Sequence, residues 1–297
     1  MKTSCREFRV LDGGLGSELE LRGADVSGPL WSAAVVEERP EVVAAVHRAY
    51  FEAGAECVAA ASYQISRAGY RELGRTDAEA DRALARAVEV ACQVRDEAPE
   101  RRLAAASLGP YGAVLHNGAE YHGNYEIGYE ELVRFHRERI AVAAGTDADV
   151  LALETIPSLG EARAIVEALE GFPELPVWMS FVCRDGQTVV HGEPLVACAR
   201  EAMQVPGLVG VGVNCTAPRF VAEAIAELKA AGVPRVMVYP NLGEGWDAVN
   251  RCWMGTADAR GFGELAAGWF AGGADVVGGC CRTRPEHIRE VGLALGR

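Results

Sequence analysis

Short, almost wholly apolar runs recur along this chain at a steady beat, and each is followed by a longer segment with helical spacing. The runs are 8–11, 56–62, 103–107, 149–153, 177–182, 208–213, 235–238 and 274–277. Near-continuous apolar runs of this length, bounded by turn residues, predict strands covered on both faces. Between 40 and 53 the apolar residues Val42, Val43, Val46, Ala49 and Tyr50 follow an i, i+3/i+4 stripe, which predicts a helix. The same spacing predicts helices over 77–95, 129–144, 160–169, 195–204, 220–230, 258–271 and 285–295. Pro40, Asp77 and Pro285 suit helix starts, and Gly54, Gly145, Gly171 and Gly232 suit helix ends. Strand then helix, eight times over, predicts an α/β fold, a single (β/α)8 TIM-type barrel. A doubly wound open sheet would require a Gly-x-Gly-x-x-Gly turn after the first strand. Asp12-Gly13-Gly14-Leu15-Gly16 lacks that spacing.

No low-complexity linker or Pro/Ser-rich hinge divides the sequence, so one domain over 1–297 is expected. A formal charge of -13 disfavours a phosphate backbone as partner, so no nucleic acid is expected. No run of 18 or more apolar residues occurs and no signal-type segment opens the chain, so no membrane association is expected. Nine cysteines, an odd number, fit a reduced, cytoplasmic protein better than a disulfide framework. Oligomeric state is not readable from the sequence.

In barrels of this kind the chemistry sits at the C-terminal ends of the strands. Those ends supply Asp12, Tyr63, Tyr111, Glu154, Cys215, Asn241 and the pair Cys280-Cys281. Cys215 and Cys280-Cys281 end runs six and eight, so three sulfurs can meet at one rim. Three thiolates suit zinc and leave its fourth tetrahedral position open to water or substrate. Adjacent cysteines on a regular strand point to opposite faces. A kink is therefore required, and Gly278-Gly279 provides the backbone freedom for it. The competing readings are small buried hydrophobes or a vicinal disulfide. Cys5, Cys57, Cys92, Cys183, Cys198 and Cys252 read as structural or incidental.

Asp12 and Glu154 are candidates to hold a substrate ammonium. Asp12 could instead accept from the amides of the glycine turn that follows it. Glu154 ends a long apolar run, where a carboxylate is costly unless paired or at the barrel mouth. His47, His136 and His287 fall on helices, while His116 and His122 fall in the loop after the third run; none pairs at metal-binding spacing. The tyrosine- and glycine-rich stretch 111–129 is a long loop on the same face, suited to act as a lid or to offer aromatic faces to a cation. No catalytic side chain beyond the metal site is expected.

Gly212-Val213-Asn214-Cys215 and Gly278-Gly279-Cys280-Cys281-Arg282-Thr283 resemble the two zinc motifs of homocysteine S-methyltransferases. Leu11-Asp12-Gly13-Gly14, Leu30-Trp31-Ser32-Ala33, Ala61-Ser62-Tyr63-Gln64, Gly109-Pro110-Tyr111-Gly112-Ala113 and Val238-Tyr239-Pro240-Asn241 extend the resemblance from about residue 10 to 289. The segments at 30–33 and 61–64 are most similar to the branch using S-methylmethionine or S-adenosylmethionine. The betaine-using branch carries a tyrosine where Gln64 stands here. The cobalamin-dependent enzymes share the cysteines but continue into further modules, for which no room is expected.

The resemblance implies Zn2+ on Cys215, Cys280 and Cys281, with Asp12 and Glu154 on the homocysteine amino group and Trp31 and Tyr63 beside the donor. It implies no role for Glu244. The implied reaction moves a methyl group from a sulfonium donor to the thiolate of homocysteine, giving methionine. No general base is required once zinc keeps the acceptor sulfur deprotonated. Other readings are transfer to another thiol or a selenol, a non-catalytic zinc-binding scaffold, or a redox protein with a Cys280-Cys281 disulfide.

Overall fold

The computed structural model describes residues 7–26, 28, 31–243, 245–247, 252–254 and 259–297, with the backbone alone at 245–247, 252–254, 259 and 260. In chain order the strands are β1 (Cys57–Ala59), β2 (Leu103–Leu108), β3 (Val150–Ile156), β4 (Val177–Phe181), β5 (Leu208–Asn214), β6 (Val236–Tyr239), β7 (Gly245–Asp247), β8 (Cys252–Met254) and β9 (Val276–Val277). Seven of them form one sheet, ordered β1-β2-β3-β4-β5-β6-β9, and every pairing in it is parallel. β7 and β8 form a separate antiparallel pair, which the apolar pattern did not predict.

Each of the eight predicted runs lies on the sheet or on its edge, but the first is not a full strand. Val10 bridges Val277 and Leu11 bridges Cys57, both in parallel sense. The Leu11 amide donates to the Val277 carbonyl at 3.0 Å, and the Asp12 amide to the Cys57 carbonyl at 3.1 Å. One short segment thus touches both edge strands. β1 is shorter than its run because the chain turns after Ala60, where the Ser62 amide donates to the Ala60 carbonyl at 2.8 Å.

The helices that follow the strands are α3 (Pro40–Glu52), α5 (Asp77–Glu97), α7 (Tyr129–Ala144), α8 (Leu159–Leu169), α9 (Leu195–Ala202), α10 (Pro218–Ala230), α11 (Ala259–Ala271) and α12 (Pro285–Ala294). Their starts follow local chemistry. Thr76 and Glu79 make a reciprocal capping box for α5, and the Ser158 hydroxyl caps α8. Four short helices escape the periodicity: α1 (Leu15–Leu21), α2 (Ser32–Glu38), α4 (Arg67–Glu72) and α6 (Tyr111–Val114). At seven residues or fewer, none offers two full turns of pattern to read.

Side chains alternate across each strand, so the sheet divides the core in two. One apolar cluster includes Leu11, Leu103, Ala105, Val150, Ala152, Trp178, Met237, Tyr239 and Val276. Their strand neighbours Ala104, Ala106, Leu151, Leu153 and Val236 join the larger cluster that includes the helices. Burial on both faces explains why the runs lack in–out alternation. No helix among the described residues is long and apolar enough to cross a membrane.

Candidate metal and substrate site

β5 ends at Asn214, and Cys215 then takes a φ of 47°, a left-handed conformation uncommon for a residue other than glycine. β9 ends at Val277, so Cys280 and Cys281 lie beyond the regular strand. This freedom from strand geometry brings both sulfurs to one side. The sulfurs of Cys215, Cys280 and Cys281 all lie within 4.8 Å of one another. Cys281 Sγ is 3.8 Å from Cys215 Sγ and 4.0 Å from Cys280 Sγ. Cys215 and Cys280 are joined as a disulfide, and Cys281 is free. The disulfide thus links two strand ends, not the adjacent pair considered from the sequence. Burial pushes the Cys281 thiol up to about 11, against a hydrogen bond from the Tyr121 hydroxyl.

The glycines before the cysteines matter for space. A Cβ on Gly279 would lie 2.1 Å from Thr283 Oγ1, and one on Gly14 would lie 2.6 Å from the Cys280 carbonyl oxygen. Gly278 and Gly279 do not use a left-handed φ, so close approach, not the kink expected from sequence, is what requires them. Thr283 locks the turn by donating to the Cys280 carbonyl at 2.6 Å and accepting from the Gly14 amide at 3.1 Å. The Tyr50 hydroxyl donates within reach of the Gly14 and Thr283 carbonyls, at 3.2 and 3.1 Å.

Two buried carboxylates stand beside the sulfurs. Asp12 Oδ2 accepts from the Ala59 amide at 2.8 Å. Burial pushes the Asp12 carboxyl well above its usual range; the Ala59 amide opposes this and the charge of Glu154 adds to it. Glu154 accepts from the Ser107 hydroxyl and bonds the Tyr239 hydroxyl. Burial raises its carboxyl too, against those two bonds. Among the described residues, neither carboxylate forms an ion pair with a lysine or arginine. Two buried acids that repel each other and lack a cation are chemically suited to hold one.

Asn214 couples the two halves of the site. Its Oδ1 accepts from the Thr155 amide at 2.8 Å and the Ser180 hydroxyl at 2.9 Å, while its Nδ2 donates to Thr155 Oγ1 at 2.8 Å. Nδ2 also lies 4.0 Å from Cys280 Sγ. Thr155 has a φ of 62°, and the β3–β4 register shifts between Leu153 and Ile156. The asparagine therefore holds the irregular strand end carrying Glu154 against the one carrying Cys215. Tyr239 extends the network, accepting from Trp178 Nε1 at 3.0 Å and contacting the Ser180 hydroxyl.

The family profile described as homocysteine S-methyltransferase matches residues 9–295. The chain belongs to the homocysteine S-methyltransferase family. It is 43% identical over 291 residues to the homocysteine S-methyltransferase YbgG of Bacillus subtilis, spanning 95% of this chain and 92% of that one. It is 37% identical over 303 residues to the selenocysteine Se-methyltransferase of Brassica oleracea, spanning 96% and 88%. The oxidised form of the Escherichia coli homocysteine methyltransferase MmuM superposes with a TM-score of 0.87 at 35% identity, covering 96% of this chain and 95% of that one. Its metallated form gives 0.85 at 34% identity, with the same coverages.

In this homocysteine S-methyltransferase family member two aromatic residues pack together, one of them close enough to Glu154 and Cys281 to feel their charge. The rings of Trp31 and Tyr63 meet edge-on at 6.5 Å, and the Tyr63 hydroxyl hydrogen-bonds Thr155. Trp31 (φ 46°), Thr155, Cys215 and Arg282 (φ 71°) account for four of the five left-handed non-glycines described. Strained backbone concentrates at such sites where the surroundings over-determine it. Arg139, which the strand-end pattern does not single out, is buried and donates to the carbonyls of Tyr63, Gly109 and Ile65 at 2.6, 2.6 and 2.9 Å. It fixes two strand-end loops at once.

The stretch 111–129 is tied to α8 through Glu161. Buried Glu161 accepts from the Tyr111 amide at 2.7 Å and from the Tyr125 hydroxyl, with His136 Nε2 at 2.9 Å. His136 is thus a structural partner, and His47 lies fully buried in the core, both away from the sulfurs as expected. Cys92, Cys183 and Cys198 are free and buried, and Cys57 is buried. Cys5, Leu30, Glu244 and the side chain of Cys252 lie outside the described residues. Ser107, Ser180, Asn214 and Tyr239 also build the site, beyond the strand-end residues expected from the sequence. Their signal was available: Ser107 and Ser180 are polar groups within otherwise apolar runs, and Asn214 and Tyr239 directly follow theirs.

Proposed function

We propose that this chain transfers a methyl group from a sulfonium donor, S-methylmethionine or S-adenosylmethionine, to the thiolate of L-homocysteine, giving methionine and the demethylated donor. The observation that carries the reading is the meeting of three cysteine sulfurs with two buried, cation-free carboxylates. The family membership supports the reaction, and the metallated form of the similar E. coli enzyme supports a metal. Three sulfurs in one cluster, with no fourth protein ligand in it among the described residues, fit zinc with one open position. In the reduced protein Cys215, Cys280 and Cys281 would hold it. Zinc there would supply a Lewis acid that keeps a substrate sulfur deprotonated at neutral pH.

The chain's own residues do the rest. Asp12 and Glu154 receive the homocysteine ammonium, and Asn214 keeps Glu154 and the cysteines in register. Trp31 and Tyr63 present ring faces to the cationic donor, an attraction worth about 0.5–2 kcal/mol. Holding both substrates in line supplies much of the acceleration, at best on the order of 7–11 kcal/mol. In the same reading the bridged pair Val10-Leu11 is the eighth stave of a closed (β/α)8 barrel, and 1–297 is one domain in the cytoplasm.

Replacing a ligand tests the metal. Cys281→Ser is expected to lose both bound zinc, by elemental analysis, and methyl transfer; full activity without zinc contradicts the assignment. A second reading, a selenol acceptor, is favoured by the 37% identical selenocysteine Se-methyltransferase. Competition between homocysteine and selenocysteine for a limiting donor separates the two.

A further inference from the structure

One acidic side chain at this mouth is not accounted for by the proposed transfer. The left-handed Gly118 (φ 81°) opens a 3-10 turn over Ala119–Tyr121, in which the Tyr121 amide donates to the Gly118 carbonyl at 2.9 Å. The Tyr121 hydroxyl donates to the Cys281 sulfur. Gly112 admits the turn: a Cβ there would lie 2.6 Å from the Glu120 amide nitrogen. Held this way, Glu120 buries its Oε2, which has no hydrogen-bond partner. Its charge acts on Tyr63, Tyr121 and Cys281. Burial pushes its carboxyl up to about 7. Asp12 and Glu154, by contrast, couple to each other, and both accept hydrogen bonds from the strands.

A buried acceptor without a partner is costly, more so when charged, unless a ligand completes it. The missing partner must be a hydrogen-bond donor. A sulfonium sulfur has no N–H or O–H to give, whereas an ammonium group has three N–H bonds. The chemistry of the step points the same way. Transfer from sulfonium to thiolate extinguishes both charges, so a carboxylate set on the sulfonium would stabilise the ground state more than the transition state. An ammonium keeps its charge throughout and can be held without penalty to the rate.

We propose that Glu120 receives the α-ammonium of the methyl donor, and so selects amino-acid sulfonium donors over those that lack an N–H. This inference rests on the proposed sulfonium-to-thiolate transfer at the same site. Trp31 and Tyr63 hold the sulfonium end, and Glu120 holds the amino-acid end. Because the contact is the same in ground and transition states, it acts on donor binding and not on turnover.

The test is calorimetric titration of the zinc-loaded protein, without homocysteine, for wild type and Glu120→Gln. One probe is S-methyl-L-methionine; the other is 3-(dimethylsulfonio)propanoate, a sulfonium acid with no ammonium. Glu120→Gln is expected to weaken the first about tenfold or more, the loss of one charge-assisted bond, and to leave the second unchanged. Equal loss for both probes, or no loss for the first, overturns the inference. Methyl transfer is measured separately on adding homocysteine. Wild-type protein that binds S-methylmethionine but transfers nothing contradicts the reaction, while the Glu120→Gln difference still decides the role of Glu120.

Discussion

At the scale of single residues, the candidate site buries carboxylates that have no charged partner among the described residues. Glu154 lies in an apolar strand run, beside Asp12, with only neutral donors around it. Glu154→Gln is therefore expected to raise the homocysteine KM about tenfold to a hundredfold while zinc stays bound, since a charge-assisted bond is worth roughly 1.5–3 kcal/mol. Unchanged homocysteine kinetics would show that Glu154 does not hold the ammonium. His47 illustrates the opposite case in the core. Both its ring nitrogens are buried without partners, and burial lowers its pKa to about 4. A group whose folded pKa is depressed binds its proton less readily than the unfolded chain. Its contribution is present above 6.5 and lost as pH falls through 4, by up to about 3 kcal/mol at 1.36 kcal/mol per unit. His47→Leu should flatten the fall in urea midpoint between pH 7 and 4.5; identical pH slopes would contradict this. Asp12, Glu154 and the three cysteines were legible in the sequence because each ends an apolar run. Glu120 and Arg139 were not, because their positions depend on a turn and on carbonyls from distant loops.

Elements place these residues by close packing at strand ends. Gly279 has no room for a methyl group, because Thr283 sits where a Cβ would be. Gly279→Ala should destabilise by about 1–3 kcal/mol, from overpacking, and weaken metal binding by displacing the Cys280-Cys281 turn. Gly268, exposed within α11 and with no atom within 4 Å of where a Cβ would stand, gives the contrast. Gly268→Ala should stabilise by about 0.8–1.0 kcal/mol, through helix propensity alone. Thermal melts with and without metal check both; similar shifts for the two variants would refute the packing argument. Strand positions were readable because burial on both faces leaves a plain apolar run. The first was shortened to the bridged pair Val10-Leu11, and the short helices α1, α2, α4 and α6 were missed, because backbone pairing and packing across the molecule define them more than local pattern does.

At the scale of the whole molecule, a seven-stranded parallel sheet, with Val10-Leu11 bridging both its edges, gathers strand ends far apart in sequence onto one face. Cys215 and Cys280 are 65 residues apart along the chain, yet their Cα atoms lie 5.6 Å from each other. The alternation of strand and helix, read over the full length, predicted that meeting, and the motif resemblance implied it as well; the anchoring of 111–129 through Glu161 and His136 needed three-dimensional contacts. The central claim is that this assembly moves a methyl group between sulfurs. Its most direct test is transfer from methyl-labelled S-methylmethionine, S-adenosylmethionine or betaine to homocysteine by reduced, zinc-loaded protein, counting label in methionine. The account predicts chelator-sensitive labelling from a sulfonium donor and none from betaine. Labelling from betaine alone, or from no donor while zinc stays bound, would contradict it.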